Sequence, residues 1–302
     1  MLSEIRIVII GAGKISYSLS EALTKSGFNI VSVISSNIKS AQKLSSKFKI
    51  EHYSDRIEDI PSSANFYILS VPDNQIYPAA RQIASLKLNF RKCIFIHLSG
   101  VENSEALKML KKRGGRTASF HIMQTFPSKK IISIKGCYTA IETEDKKTIN
   151  ILSEFAHKLK LFPFQVSPDS KILYHLSGVY ASNFLTGNFF IAEKLFKMVS
   201  PENFALVISP IISTTLNNIS KRGTVNSLSG PIERGDNETI LKHLSALNLL
   251  IKKNRNNAAF KLLKQNYIIQ SLNLLELIGK REAKPGKPHR EIKNILKAEL
   301  KL

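Results

Sequence analysis

The sequence has little cysteine, no long apolar run and few acidic residues. Its two cysteines, Cys93 and Cys137, lie far apart in strand-like segments. At most one disulfide can form, and no metal-spaced pair exists, so a disulfide-framed scaffold is excluded and no metal site is expected. No apolar run reaches about 18 residues, so no transmembrane helix is implied. The N-terminal segment places Glu4 and Arg6 at the start of a strand that feeds a glycine loop, which is not signal-peptide grammar. A reducing, cytoplasmic protein without a membrane partner is the expectation.

Acidic residues number 23 against 44 basic ones, a formal net charge of +21. Such an excess raises the question of nucleic acid. It divides evenly, however, as +11 over residues 1–167 and +10 over residues 168–302. Local clusters occur at Lys108, Lys111, Lys112, Arg113 and Arg116, and along the tail from Lys280 to Lys301. The first sits where a helix should end, where cations complement the helix dipole. A solvated basic surface that attracts anionic substrates accounts for this pattern better than a nucleic-acid partner.

What is present begins with "IRIVIIGAGKISYSLSEALTKSGFNIVSVISSN", Ile5–Asn37. Ile5 and Ile7–Ile10 suit a strand buried on both faces of a parallel sheet. Gly11 permits the tight turn, and Gly13 lets a pyrophosphate approach the backbone. Helical periodicity starts at Lys14 and Ile15, so the helix N-terminus would face the phosphates. Ser16 stands in the place of the third glycine of the dinucleotide fingerprint. Phe28–Ile34 forms the second strand. Its end lacks the carboxylate that binds a ribose 2′-OH in NAD sites. Ser35, Ser36, Asn37 and Lys39 stand there instead, donors suited to a 2′-phosphate, so NADP is the expected cofactor. Ser36 or Asn37 can equally cap the next helix.

Strands and helices alternate onward to Val166, among them a helix expected over Ser104–Arg113 and a strand over Lys135–Glu142. At Ser167–Pro168–Asp169 the grammar changes to a helix start, and from there only helical periodicity occurs, over 169–198, 202–220, 237–252, 256–279 and 289–301. The fold class is therefore α/β: a doubly wound Rossmann-type domain, residues 1–167, followed by an all-helical C-terminal domain, residues 168–302. "GKREAKPGKPHRE", from Gly279, reads as a basic linker to the terminal helix.

Ligands of open α/β sheets bind at the carboxyl ends of the strands. That rule singles out Gly11–Ile15, Ser35–Asn37, Val71 and Pro72, Ser99 within Leu98–Gly100, and His121. Val71 and Pro72 offer backbone and apolar surface to a ribose or nicotinamide. Asp73 suits a helix cap better than an acid. His121 ends its strand at the cleft, as a functional group or as a hydrogen-bonding structural one. In "DSKILYHLSGVYASNFL", Lys171, His175 and Ser182 share one helical face, with Asn183 beside them. A polar stripe interleaved with Leu176, Val179, Tyr180 and Phe184 fits a helix lining a cleft, or a partly exposed helix at a domain border. Lys171 or His175 could protonate a carbonyl or imine as hydride arrives. In the later loop from Asn226, Arg234 could bind an anion and Asp236 could cap a helix.

The motifs "GAGKIS", "ILSVPD", "HLSG", "FHIMQTF", "KILYHLSGVYASN" and "LSGPIERGD", in that order, carry a resemblance. The chain resembles a bacterial family with an N-terminal Rossmann-like domain and a C-terminal helical domain of unknown function, described as NADP-binding oxidoreductases. It is similar more distantly to pyrroline-5-carboxylate reductase and the 6-phosphogluconate dehydrogenase-like superfamily. The resemblance implies NADP and a helical domain that completes the site and dimerises. Ile122 stands where that family carries proline after its histidine. Two readings are open: an NADP(H)-dependent oxidoreductase acting on a small carbonyl or imine, with Lys171, His175, Asn183 and His121 as catalytic candidates; or a non-catalytic dinucleotide-binding sensor or assembly protein. Apolar stripes at Leu185, Phe189, Ile191 and Leu195, and at Leu247, Leu249, Leu250 and Ile251, point to a homodimer through the helical domain.

Overall fold

The computed structural model describes residues 4–254, 258–282 and 285–300. The first residues of the expected helix 256–279, and Ala283, Lys284 and Lys301 of the basic tail, lie outside the described residues. Two compact units form, Met1–Thr186 and Gly187–Leu302.

In the first unit the order is β1 (Arg6–Ile10), α1 (Lys14–Lys25), β2 (Asn29–Ile34), α2 (Ile38–Phe48), β3 (His52–Ser54), β4 (Phe66–Leu69), α3 (Asp73–Ala84), β5 (Ile94–His97), α4 (Lys108–Lys112), β6 (Arg116–Ile122), β7 (Tyr138–Glu142), α5 (Lys146–Lys158), β8 (Phe162–Gln165) and α6 (Lys171–Gly178). One eight-stranded sheet runs β3-β2-β1-β4-β5-β6-β7-β8. Every pairing is parallel except β6 with β7. The strand order reverses between β1 and β4, so the ligand crevice belongs at the carboxyl ends of those two strands.

The alternation of β1 is the reason the sheet is covered on both faces. Ile7 and Ile9 pack with Leu19, Leu23, Leu44, Leu152 and Phe155 of α1, α2 and α5. Val8 and Ile10 pack with Ile76, Ala80, Ile83 and Leu110 of α3 and α4 on the other face. Both sets are buried to a few per cent or less.

Three expected elements differ. The strand expected at 135–142 starts only at Tyr138, because Gly136 turns with φ +81°. The helix expected from Ser104 opens as a 3₁₀ turn, Ser104–Leu107, before α4. The long helix expected at 169–198 is α6, then a π-helical turn, Val179–Asn183, then α7 (Phe184–Phe196). The strands do end near the expected boundary at 167, but α6 stays with the sheet unit. The physical tie is Lys171, whose ammonium is bonded to residues of the sheet.

The second unit continues with α8 (Phe204–Arg222), α9 (Pro231–Arg234), α10 (Asn237–Lys253), α11 (Ala258–Arg281) and α12 (Lys287–Leu300). Its core joins Ile232, Ile240, Leu244, Ile268, Leu275, Ile292 and Leu296. The stretch after Gly279 is thus mostly helix, and α12 packs through Ile292 and Leu296. Among the described residues no helix is long and apolar enough to cross a membrane.

Candidate functional site

A cleft of about 560 Å³ opens at the switch point, lined by Gly11, Ala12, Gly13, Ser35, Ser36, Val71 and Pro72 among others. Gly11 has φ +104°, and a Cβ there would lie 2.2 Å from the Ser70 carbonyl oxygen. Only glycine fits that turn. Its N–H donates to Ile34 O at 2.7 Å, closing the loop onto β2. Gly13 differs: a Cβ there would meet only Ser70 O, at 3.7 Å. The protein itself would tolerate a side chain at 13. No side chain caps the α1 N-terminus at Gly13, which leaves its first amides to bind an anion.

Ser16, in the place of the third glycine, is fully buried. Its hydroxyl donates to Gly11 O at 2.6 Å and pairs with the Ser70 hydroxyl at 2.9 Å. The departure from the fingerprint is a built tie between the glycine loop and the end of β4. The Lys14 side chain is exposed and that of Ile15 packs against the core, so what these two residues turn to the α1 N-terminus is their backbone amides. Asn37 is spent on capping: its carbonyl oxygen accepts from Ser40 N at 3.1 Å. Lys39 lies on the outer face of α2 with Lys43 and Lys47. The cations that do line the cleft are Arg56 and Lys129, with Asp55 and Glu58 as acidic neighbours. Sequence reasoning missed both cations because neither lies at the end of β2. Arg56 comes after β3, and Lys129 lies on the β6–β7 loop.

The second part of the site lies at the carboxyl ends of β5 and β6, beside Val71 in the parallel register. Lys171 is fully buried. Its Nζ donates to Ser99 O at 2.8 Å and to Ser119 Oγ at 2.5 Å. Burial lowers its pKa to about 8, opposed by the carboxylates of Glu142, Asp73 and Glu102. Ser99 is equally committed, its Oγ accepting from the amides of Val101 and Glu102 at 3.1 and 2.9 Å. His97 Nδ1 accepts from Ser99 N at 3.3 Å, so its Nε2–H donates to Asn103 O at 3.0 Å. At the other end of this loop, buried Glu142 accepts from Ser104 N and Oγ at 2.6 and 2.8 Å. The segment Ser99–Ser104 is therefore pinned from below by Lys171, His97 and Glu142.

Above it stand three rings. His121 Nδ1 lies 2.8 Å from the Tyr174 hydroxyl. His121 and His175 have ring centroids 6.0 Å apart. A Cβ on Gly100 would lie 2.3 Å from His175 Cδ2 and 3.0 Å from His121 Nε2, so both imidazoles close on the Gly100 backbone. Burial, then the positive charge of Lys171, then His175, push the His121 pKa down to about 4. His121 is neutral at pH 7. Burial raises Tyr174 to about 12, so its hydroxyl keeps its proton.

The structure thus brings Lys171, His175 and His121 into one cluster and adds Tyr174. The sequence stripe passed over Tyr174 because it reads as an apolar position between Leu173 and His175. Asn183 is exposed on the π-helical turn, and its side chain makes no hydrogen bond to another described residue. The extra residue of a π turn rotates the helix beyond it, which breaks the spacing that would have aligned Ser182 with Lys171 and His175.

Residues 2–121 match the Rossmann-like domain, and residues 137–267 match the Domain of unknown function (DUF2520). The second match begins inside the sheet unit, so β7, β8 and α6 fall within it. No curated protein matches the sequence. Among solved structures, the chain shares its fold with a "putative NADP oxidoreductase" from Bacteroides fragilis, at 23% identity and TM-score 0.73 over 91% of this chain and 99% of that one. It also shares it with a protein from Thermotoga maritima, at 21% identity and TM-score 0.66 over 91% and 100%. A third is a reductive aminase from Aspergillus terreus in complex with NADPH and ethyl-5-oxohexanoate, at 15% identity and TM-score 0.61 over 85% and 90%.

Proposed function

Because the chain carries a Rossmann-like domain followed by DUF2520, we propose that it is an NADP(H)-dependent oxidoreductase that reduces a small carbonyl or imine compound. The observation that carries this reading is the neutral His121–Tyr174 pair, 2.8 Å apart, at the strand ends next to the glycine-cradled cleft. A hydrogen-bonded phenol and imidazole beside a cofactor cleft suit proton movement during a reaction.

The residues fit the cofactor. Gly11, Gly13 and the uncapped start of α1 suit the pyrophosphate. Ser35, Ser36, Ser40 and Arg56 line the end of the cleft where a 2′-phosphate would lie. Val71, Pro72, Ser99 and Gly100 would flank the nicotinamide, which when bound supplies the hydride. The fold shared with the "putative NADP oxidoreductase" and with a reductive aminase in complex with NADPH supports the same reading.

The protein's own work is orientation and proton movement. With the Tyr174 phenol donating to His121 Nδ1, the neutral imidazole carries its own proton on Nε2; that proton can pass to the oxygen or nitrogen that becomes basic as hydride arrives, while the phenol proton moves to Nδ1. His175 lines the same space. Lys171 is completely buried, so its role is positional: it fixes the Ser99–Gly100 backbone against which His121 and His175 close. NADPH oxidation by a panel of ketones, aldehydes and cyclic imines tests the reading. Turnover with at least one class is expected, and NADPH binding without turnover across the panel would favour a sensor.

The helical unit supplies the partner. α7 and α8 bury no residue, and Phe190, Leu206, Val207, Ile211 and Leu216 stand exposed. A second copy of the chain is the proposed cover for that surface.

A further inference from the structure

The β6–β7 loop, residues 123–137, is long for a connection between antiparallel neighbours. It crosses α1 instead of turning back directly. Ile132 N donates to Ser18 Oγ at 2.9 Å, a bond between residues far apart in sequence. Ile134 is buried in the core beside α1. With that anchor, Lys129 reaches the nucleotide cleft. Its Nζ stands 5.7 Å from the Tyr17 ring centroid and 3.5 Å from Ser40 Oγ. Ser40, Ser35 and Ser36 line the cleft with it.

The charges of that end of the cleft decide what Lys129 is for. Arg56 is opposed by Asp55 and Glu58, so without Lys129 the lining is net negative. Arg56 Nε also stands 4.0 Å from carboxylates of both Glu58 and Asp59. A 2′-phosphate is a dianion at neutral pH, and serine hydroxyls alone would not hold it against a net negative lining. Lys129 restores the balance: among the described residues no carboxylate pairs with it, and its one hydrogen bond there is to a hydroxyl.

We propose that the β6–β7 loop is a strap over α1 that delivers Lys129 as the specificity-determining ligand of the cofactor's 2′-phosphate. The ligand class is a 2′-phosphorylated adenosine. The specificity is delivered by a loop remote in sequence from the β2 terminus, where it is normally sought. This rests on the NADP reading above and names the residue that enforces it.

The test measures dissociation constants of NADPH, NADH, 2′,5′-ADP and 5′-AMP for the full chain and for Lys129→Ala, Lys129→Glu and Lys129→Arg. Lys129 is exposed, so the variants should fold. The expected result is a loss of about 10- to 100-fold for NADPH and 2′,5′-ADP in Lys129→Ala. A larger loss is expected in Lys129→Glu and recovery in Lys129→Arg, with NADH and 5′-AMP within about twofold throughout. Equal losses for NADPH and NADH would overturn the inference, since the strap would then be structural only. Unchanged NADPH preference in Lys129→Ala would overturn it while leaving the NADP reading intact. A wild-type chain that binds NADH as tightly as NADPH would overturn the NADP reading itself, and this inference with it.

Discussion

The Tyr174 hydroxyl and His121 Nδ1 face each other at 2.8 Å, one from α6 and the other from β6. Burial holds the phenol protonated and the imidazole neutral. Removing the hydroxyl alone should leave the ring packing intact. Tyr174→Phe is expected to lower kcat by about 10²–10⁴-fold on whichever carbonyl or imine compound is turned over. NADPH affinity should stay within about twofold, because neither ring lines the nucleotide cleft. Steady-state kinetics beside fluorescence titration separates the two effects.

Lys171 lowers the His121 pKa through its positive charge. In Lys171→Met, the His121 imidazole should titrate above its present value of about 4, on the way to the ordinary 6.5. NMR of the histidine ring protons reads this directly. The same variant leaves Ser99 O and Ser119 Oγ without their buried donor, and should lose about 2–4 kcal/mol of stability in urea unfolding. A catalytic lysine facing substrate would instead cost turnover with little change in stability.

The buried histidines give the fold an acid-sensitive window. His97 is held at about 3 and His121 at about 4, both below the ordinary 6.5. As pH falls below about 6.5, the unfolded chain takes up these protons and the folded chain does not, so stability declines from there down towards about 4. Between pH 6.5 and 5, before carboxylates titrate, the decline should amount to a few kcal/mol. It should be shallower in His97→Gln, which denaturant midpoints at several pH values would reveal.

Two neighbouring glycines should answer substitution in opposite ways. Gly11→Ala forces a Cβ against Ser70 O at positive φ, so the protein should lose more than about 2 kcal/mol or fail to fold. Gly13→Ala has ordinary room on the protein side, so its thermal midpoint should stay within a few degrees of the parent. NADPH affinity should nevertheless fall at least about tenfold, because the pyrophosphate needs that space. Thermal melts paired with titrations distinguish the two.

For the second unit, light scattering should give about twice the chain mass of 33.8 kDa at micromolar concentration. Ile211→Asp, on the exposed face of α8, should return the monomer without lowering the helical signal in circular dichroism.

Much of the fold was legible in the sequence, because it depends on local periodicity. The continuous apolar run at Ile7–Ile10, the glycine turn and the change of grammar at Ser167 each reflect how one segment buries its own side chains. The cradle at Gly11 and Gly13 was legible for the same reason, since a strand, a turn and a helix start occur consecutively. What the chain could not reveal along its length were meetings between distant segments. Lys171 reads as a polar residue on a helix face, and only its bonds to Ser99 and Ser119 make it a buried support. Tyr174 reads as packing until β6 places His121 beside it. Lys39 has the right spacing for the nucleotide but points away on α2, while Lys129, distant in sequence, is carried over α1 by the bond from Ile132 to Ser18. Periodicity determines which face of an element is buried; the direction of a long side chain and the charge it meets are decided by whichever strand or loop the tertiary fold brings alongside.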